Sequence, residues 1–303
     1  MKTLITHSFK LTEPQKSQLA SLGLEITYQH DTAPVEQPEQ FELVICYDLF
    51  SNNDLSQFSS LKYIQLTSVG VDHLPLAEIE RRGILLRNAR GVSSVPIAEF
   101  VLGGVLQIYK KANQFWQNQQ QHQWKRLHGL QEIAGKRVCI VGAGSIGCEL
   151  AKRFAAFDAQ VLGVNPSPVS SPWFAEVWPL ERLAEALGLA DIVALSLPLL
   201  PETTHLFNAE RLAQMKQGAL LVNVARGPIV DEQALLAALQ SGHLQGAVLD
   251  VFEQEPLPAD SPLWDLPNVV LTPHNAFLSE SKDARLFEIV QQNLRDWFKL
   301  AGC

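Results

Sequence analysis

Three polar residues stand where apolar, strand-like runs end. Arg226 follows the run Ala219–Val224 in Val-Asn-Val-Ala-Arg-Gly, Glu255 lies in Asp250-Val-Phe-Glu-Gln-Glu-Pro, and His274 follows Val269–Leu271 in Leu-Thr-Pro-His-Asn. In parallel α/β sheets, ligands bind beyond the carboxyl ends of strands, and all three positions obey that rule. Their chemistries are complementary. A His can donate a proton near neutral pH. A carboxylate beside it stabilises the imidazolium. An Arg can hold a substrate carboxylate and polarise a neighbouring keto oxygen. Reduction of a 2-keto acid asks these things of a protein, with a cofactor supplying the hydride. Taken singly, each residue has a structural alternative: Arg226 as a surface charge, Glu255 as a loop residue, His274 as a turn residue after Pro273.

A cofactor turn gives the three their context. Arg137-Val-Cys-Ile-Val-Gly142-Ala-Gly144-Ser145-Ile146-Gly147 passes from an apolar run into Cys148-Glu-Leu-Ala-Lys-Arg-Phe. A lone GxGxxG is weak evidence, but strand before and helix after are what a dinucleotide site requires. Gly142 permits the tight turn, Gly144 clears space for a pyrophosphate, and Gly147 lets helix and strand approach. Backbone N–H groups at the helix start, near Ser145 and Ile146, then face the phosphates. The next apolar run, Gln160–Val164, ends at Asn165. NAD sites usually carry Asp or Glu there, to bond the ribose hydroxyls. Asn165 has no charge to repel a 2′-phosphate, and Ser167, Ser170 and Ser171 could bond one, although no Lys or Arg follows nearby. The reading leans to NADPH over NADH.

The elements that must position these groups are legible as alternation. Leu43–Cys46, Tyr63–Leu66, Ile84–Leu86, Arg137–Val141, Gln160–Val164, Asp191–Leu195, Ala219–Val224, Gly246–Leu249 and Val269–Leu271 read as strands. Ile146–Ala156, Leu180–Leu187, Ala209–Gln214 and Glu232–Gln240 read as helices. Such alternation implies parallel sheets with crossover helices, and continuous apolar runs imply strands covered on both faces. Asp231 suits the N-cap of Glu232–Gln240, and Gly242 suits its left-handed end. Pro96–Gln123 is apolar early and Gln-rich late, and reads as one long helix passing between domains. Trp116 and Trp124, eight apart, would share its face and serve dimer packing.

Composition excludes several classes. The chain has 303 residues, 47% of them hydrophobic and 18% charged, with net charge −8. That length suits two domains. The acidic balance argues against a general nucleic-acid binder. Cys46, Cys139, Cys148 and Cys303 match no zinc or CxxC spacing, so no metal site is expected, and buried thiols in a reducing compartment are. The N-terminus lacks signal-peptide architecture and no apolar run reaches the ~18 residues of a membrane span, so the expected location is the cytoplasm. His73, His122, His128, His205 and His243 read as structural or surface residues.

With these motifs in order, the chain resembles the D-isomer-specific 2-hydroxyacid dehydrogenases. The glycine turn, Leu197-Pro-Leu-Leu-Pro-Glu-Thr-Thr-His205, Met215 to Asp231, Gly246 to Pro256 and Leu263 to His274 carry the likeness, strongest over 133–274. Thr67-Ser-Val-Gly-Val-Asp72 resembles the family's substrate loop, and Asn88 to Glu99 its entry to the inter-domain helix. The resemblance implies two Rossmann-like or flavodoxin-like α/β domains with doubly wound parallel sheets. An NAD(P)-binding domain at 95–275 would be inserted into a substrate domain made of 1–94 and 276–303. It implies Arg226, Glu255 and His274 as the catalytic set, and Val69 and Gly70 as N–H donors to the substrate carboxylate, beside Arg226. It places Ser94, Ala225 and Asp250 with the glycine turn and Asn165 around the cofactor. It further implies a homodimer on the long helix. The sequence departs at Asn275-Ala-Phe277, where many members carry small residues, which leaves substrate size open. The expected activity is reduction of a small 2-keto acid, such as glyoxylate or hydroxypyruvate, to a D-2-hydroxy acid. Alternatives are a formate- or phosphite-type dehydrogenase of the same superfamily, or a non-enzymatic nucleotide sensor akin to the corepressors that share this fold.

Overall fold

The computed structural model describes residues 1–71 and 73–301. The expectations placed on Asp72 and Cys303 fall outside them. The chain divides into two compact units, Met1–Val92 with Ser279–Cys303, and Ser93–Leu278.

The first unit runs β1 (Lys2–Thr6), α1 (Glu13–Ala20), β2 (Glu25–Gln29), β3 (Leu43–Cys46), β4 (Tyr63–Leu66), α2 (Leu76–Arg81) and β5 (Leu85–Arg87). Its parallel sheet has the order β2-β1-β3-β4-β5. Successive strand residues point to opposite faces, so each fully buried strand feeds two cores. Leu4, Val44 and Ile64 pack with Leu49 and Phe58 on one face. Ile5, Leu43, Ile45 and Tyr63 pack on the other, against Leu286, Val290 and Leu294, which belong to the last helix of the chain, Lys282–Ala301. Beyond the ends of β1 and β3 sits the carboxylate of Asp31. It accepts from Thr6 Oγ1 at 2.7 Å, Ser8 Oγ at 3.4 Å, and the N–H groups of Tyr47 and Asp48 at 3.2 and 3.4 Å.

The second unit begins with α3 (Ser94–Tyr109) and α4 (Ala112–Gln120). It continues through β6 (Arg137–Val141), α5 (Ser145–Ala156), β7 (Gln160–Val164), β8 (Glu176–Trp178), α6 (Leu183–Leu189), β9 (Ile192–Leu195), α7 (Ala209–Gln214), β10 (Ala219–Asn223), α8 (Glu232–Gln240), β11 (Leu244–Leu249) and β12 (Val269–Leu271). The sheet order is β12-β11-β10-β9-β6-β7-β8, all parallel. Strand order reverses between β6 and β9, the doubly wound arrangement that opens a crevice at their carboxyl ends. Cys139, Val193 and Leu221 face α6, α7 and α8, and Ile140, Ala194 and Val222 face α3 and α5.

The single long helix expected over Pro96–Gln123 is not formed. It is broken at Lys110–Lys111, where Lys111 takes a left-handed φ of 54°. The cause lies in burial and in the returning chain. α3 buries Ile97, Val101, Val105 and Tyr109, whereas α4 buries nothing. The Nζ atoms of Lys110 and Lys111 bond Gln131 O and His128 O, and Gln131 N–H bonds Tyr109 O. Trp124 lies beyond α4, so it shares no helix face with Trp116. Phe115, Trp116, Trp124 and Leu130 are exposed. Asp231 caps α8 by accepting from Ala234 N–H at 2.9 Å, and Gly242 follows in the left-handed region at φ 72°. Cys46 and Cys139 are buried, which pushes each thiol up to about 12. Among the described residues no helix is long and apolar enough to cross a membrane.

Candidate active site

The ends of β10, β11 and β12, adjacent in the sheet, carry Arg226, Asp250 and His274. Asn223, the last residue of β10, is buried and turns the chain there. Its Oδ1 accepts from Ala225 N–H at 3.1 Å and its Nδ2 donates to Arg226 O at 3.0 Å. Arg226 Nη1 donates to Ala225 O at 2.8 Å.

His274 Nδ1 lies 2.9 Å from Glu255 Oε2. An ionised carboxylate only accepts, so Nδ1–H is the donor and Nε2 is left to exchange a proton with a substrate. Glu255 is held in turn, its Oε1 accepting from Phe252 N–H at 3.1 Å. The His274 backbone sits at φ 52°, a conformation costing a non-glycine residue on the order of 1–3 kcal/mol. It is held by N–H bonds to Asp250 O at 2.8 Å and Thr272 O at 3.0 Å. The Asp250 carboxylate, 3% exposed, anchors the same loop. It accepts from Thr272 Oγ1 at 2.7 Å, Asn275 N–H at 2.8 Å and Ala276 N–H at 3.0 Å. The Phe277 ring stands edge-on to His274, with centroids 6.1 Å apart.

The glycine turn follows β6 at the reversal of strand order. Gly142 has φ 98°, and a Cβ there would lie 2.6 Å from Ser196 O. A Cβ on Gly147 would lie 2.2 Å from Gly142 O. Gly144 is the N-cap of α5, so Ser145, Ile146 and Gly147 form its first turn with N–H groups outward. Asn165, at the end of β7, accepts from Ala143 N–H at 3.1 Å and donates to Ser167 O at 2.8 Å, tying this turn to the next loop. Ser94 Oγ is buried with no partner among the described residues.

In the first unit, the loop after β4 ties down its carbonyl groups. Asn88 Nδ2 bonds Val69 O at 2.7 Å and Ser68 Oγ bonds Gly70 O at 3.0 Å. Among the described residues, the N–H groups of Val69 and Gly70 find no acceptor.

The positioning roles of Asn223 and Thr272 were not singled out from the sequence, although polar residues ending apolar strands are a usable signal. Of the histidines read as structural or surface, His243 bonds Leu212 O at 3.0 Å and His205 pairs with Glu253 at 2.9 Å.

Residues 102–276 match the family model described as D-isomer specific 2-hydroxyacid dehydrogenase, NAD binding domain. The chain is 39% identical over 245 residues to a glyoxylate reductase of Thermofilum pendens, covering 78% of this chain and 71% of the relative. A D-isomer specific 2-hydroxyacid dehydrogenase family protein from Aeromonas salmonicida superposes with TM-score 0.82 at 33% identity, over 98% of this chain and 95% of the other. A D-isomer specific 2-hydroxyacid dehydrogenase from Xanthobacter autotrophicus Py2, solved with NADPH and MES, superposes with TM-score 0.80 at 33% identity, over 99% and 95%.

Proposed function

The chain belongs to the D-isomer specific 2-hydroxyacid dehydrogenase family, a family of oxidoreductases acting on CH–OH donors, and on that premise we propose that it reduces a small 2-keto acid to a D-2-hydroxy acid with NADPH. The observation that carries the reading is the 2.9 Å His274–Glu255 pair, set on the same sheet edge as the glycine turn.

The residues present fit a nicotinamide dinucleotide. Gly142 and Gly147 leave no room for a Cβ, so the turn closes tightly onto the start of α5, whose outward N–H groups suit a phosphate pair, and the Ser94 hydroxyl, without a partner among the described residues, offers a buried polar contact. When bound, the cofactor supplies the hydride. Ser145, Ile146 and Gly147 present backbone N–H groups to its phosphates, and Ala225 and Asn165 border it. His274 delivers a proton to the keto oxygen from Nε2, and Glu255 stabilises the imidazolium. Arg226 takes the substrate carboxylate and polarises the ketone. Asp250 acts on the site through the His274 loop it anchors. Phe277, beside His274, favours a short substrate side chain, as the glyoxylate reductase relative would suggest. The lean to NADPH rests on Asn165, which puts no charge where a 2′-phosphate would lie. The exposed Phe115, Trp116, Trp124 and Leu130 support a homodimer formed on α4 and the segment after it.

Nicotinamide absorbance tests the reading, with NADPH and NADH run separately against 2-keto acids of increasing side-chain size. Expected are faster turnover with NADPH and the highest kcat/KM for the smallest acids. His274→Ala should then lower kcat by at least ~10²-fold. Arg226→Ala should damage keto-acid use and spare cofactor binding. Tight nucleotide binding with no turnover of any acid would replace the reductase with a sensor.

A further inference from the structure

Glu255 lies on a strap, residues 251–255, that belongs to no helix or strand. Something other than a ladder must therefore fix its carboxylate against His274. The strap crosses Gly227, the residue after Arg226, at backbone contact. A Cβ on Gly227 would lie 1.9 Å from the Phe252 carbonyl and 2.5 Å from Glu253 N. Just beyond this crossing, Glu253 and Glu232 exchange bonds. Glu253 N–H donates to Glu232 Oε1 at 2.6 Å, and Glu232 N–H, at the start of α8, donates to Glu253 Oε1 at 3.3 Å. Glu253 Oε1 also lies 2.9 Å from His205 Nε2. His205 is itself fixed, its N–H bonding Pro228 O at 2.8 Å.

From this geometry we propose that Glu232 is a positioning residue. With Glu253 and His205 it clamps the strap, and so sets where Glu255 meets Nδ1–H of His274. The clamp joins three segments that are remote in sequence: the loop carrying His205, the start of α8, and the strap. It holds the strap two residues from the carboxylate that orients the proton donor. Burial raises the Glu232 carboxyl above its ordinary range; the bond from Glu253 N–H opposes this and the charge of Glu253 adds to it, so the arrangement brings two carboxylates together against their mutual repulsion. The proposal rests on the reductase reading for the purpose of the His274–Glu255 pair, but not for the pair's geometry.

The test compares the full chain with Glu232→Ala, Glu232→Gln and His205→Gln. Ring ¹⁵N NMR of His274 reports the tautomer without any need for turnover. The parent should show Nδ1 protonated. Glu232→Ala should give mixed tautomers and a kcat lower by up to ~10²-fold with an unchanged KM for cofactor, the scale of a misplaced catalytic group. Glu232→Gln keeps the acceptor for Glu253 N–H and should restore both. His205→Gln changes an exposed side chain, so it should fold even if Glu232→Ala does not, and should move the ring signals in the same direction by less. Parent-like ring signals in Glu232→Ala, or in His205→Gln should the first not fold, overturn the clamp. So does a fall in melting temperature with ring signals and kcat unchanged. A parent that reduces no 2-keto acid defeats the reductase reading and leaves the ring signals to decide the clamp.

Discussion

Asp250 holds Thr272, Asn275 and Ala276 through one buried carboxylate. An amide in its place can turn its oxygen toward Thr272 and Asn275, but its NH₂ then faces the Ala276 N–H. An orphaned buried donor costs about 1–3 kcal/mol. Asp250→Asn should therefore lower stability by about that much in urea unfolding, and kcat should fall because the His274 loop loses its anchor. Unchanged stability and kcat would mean the loop is held by its backbone bonds alone. Neutral residues elsewhere on this sheet edge act by the same logic. Asn223 shapes the Arg226 turn through two bonds to main chain, one made by each end of its amide.

Much of the arrangement was legible one element at a time. β3, β4, β6 and β7 occupy the spans their apolar runs mark, because strands covered on both faces cannot afford interruptions, and the short edge strand β12 matches its run as well. β2 and β8 leave no such run, since each is a sheet edge with mostly exposed or half-exposed side chains. The terminal helix, Lys282–Ala301, does carry a signal, in Leu286, Val290 and Leu294 at helical spacing, but it lies past the last strand and outside the strand–helix alternation. The break in Pro96–Gln123 was hidden because nothing at Lys111 forbids helix. What ends α3 there is the loss of anything to bury against, together with carbonyl groups of the returning chain that claim both lysines. At the site, Arg226, Glu255 and His274 were legible because their side chains do chemistry. Glu232 and Thr272 were not, because each acts on a partner some twenty residues away that only folding brings near.

At the scale of the molecule, two parallel sheets divide the chain, and the second unit carries an exposed aromatic surface on α4 and the segment beyond it. Such clustered apolar exposure marks an interaction face, and the partner we propose is a second copy. Sedimentation should then give a mass near twice the 33.6 kDa of one chain, and Trp116→Glu should shift it toward the monomer. A monomeric parent at working concentrations would remove the dimer. The first unit raises a different question, since its order β2-β1-β3-β4-β5 also has a reversal, between β1 and β3, where sheets of this kind take phosphate-bearing ligands. The donors that would greet such a ligand, from Thr6, Ser8, Tyr47 and Asp48, are already turned on Asp31. The unit thus carries a built-in counter-anion, and the stoichiometry of dinucleotide binding should be one per chain. Calorimetric titration with NADPH reads this directly, and a ratio of two would mean that Asp31 yields its place.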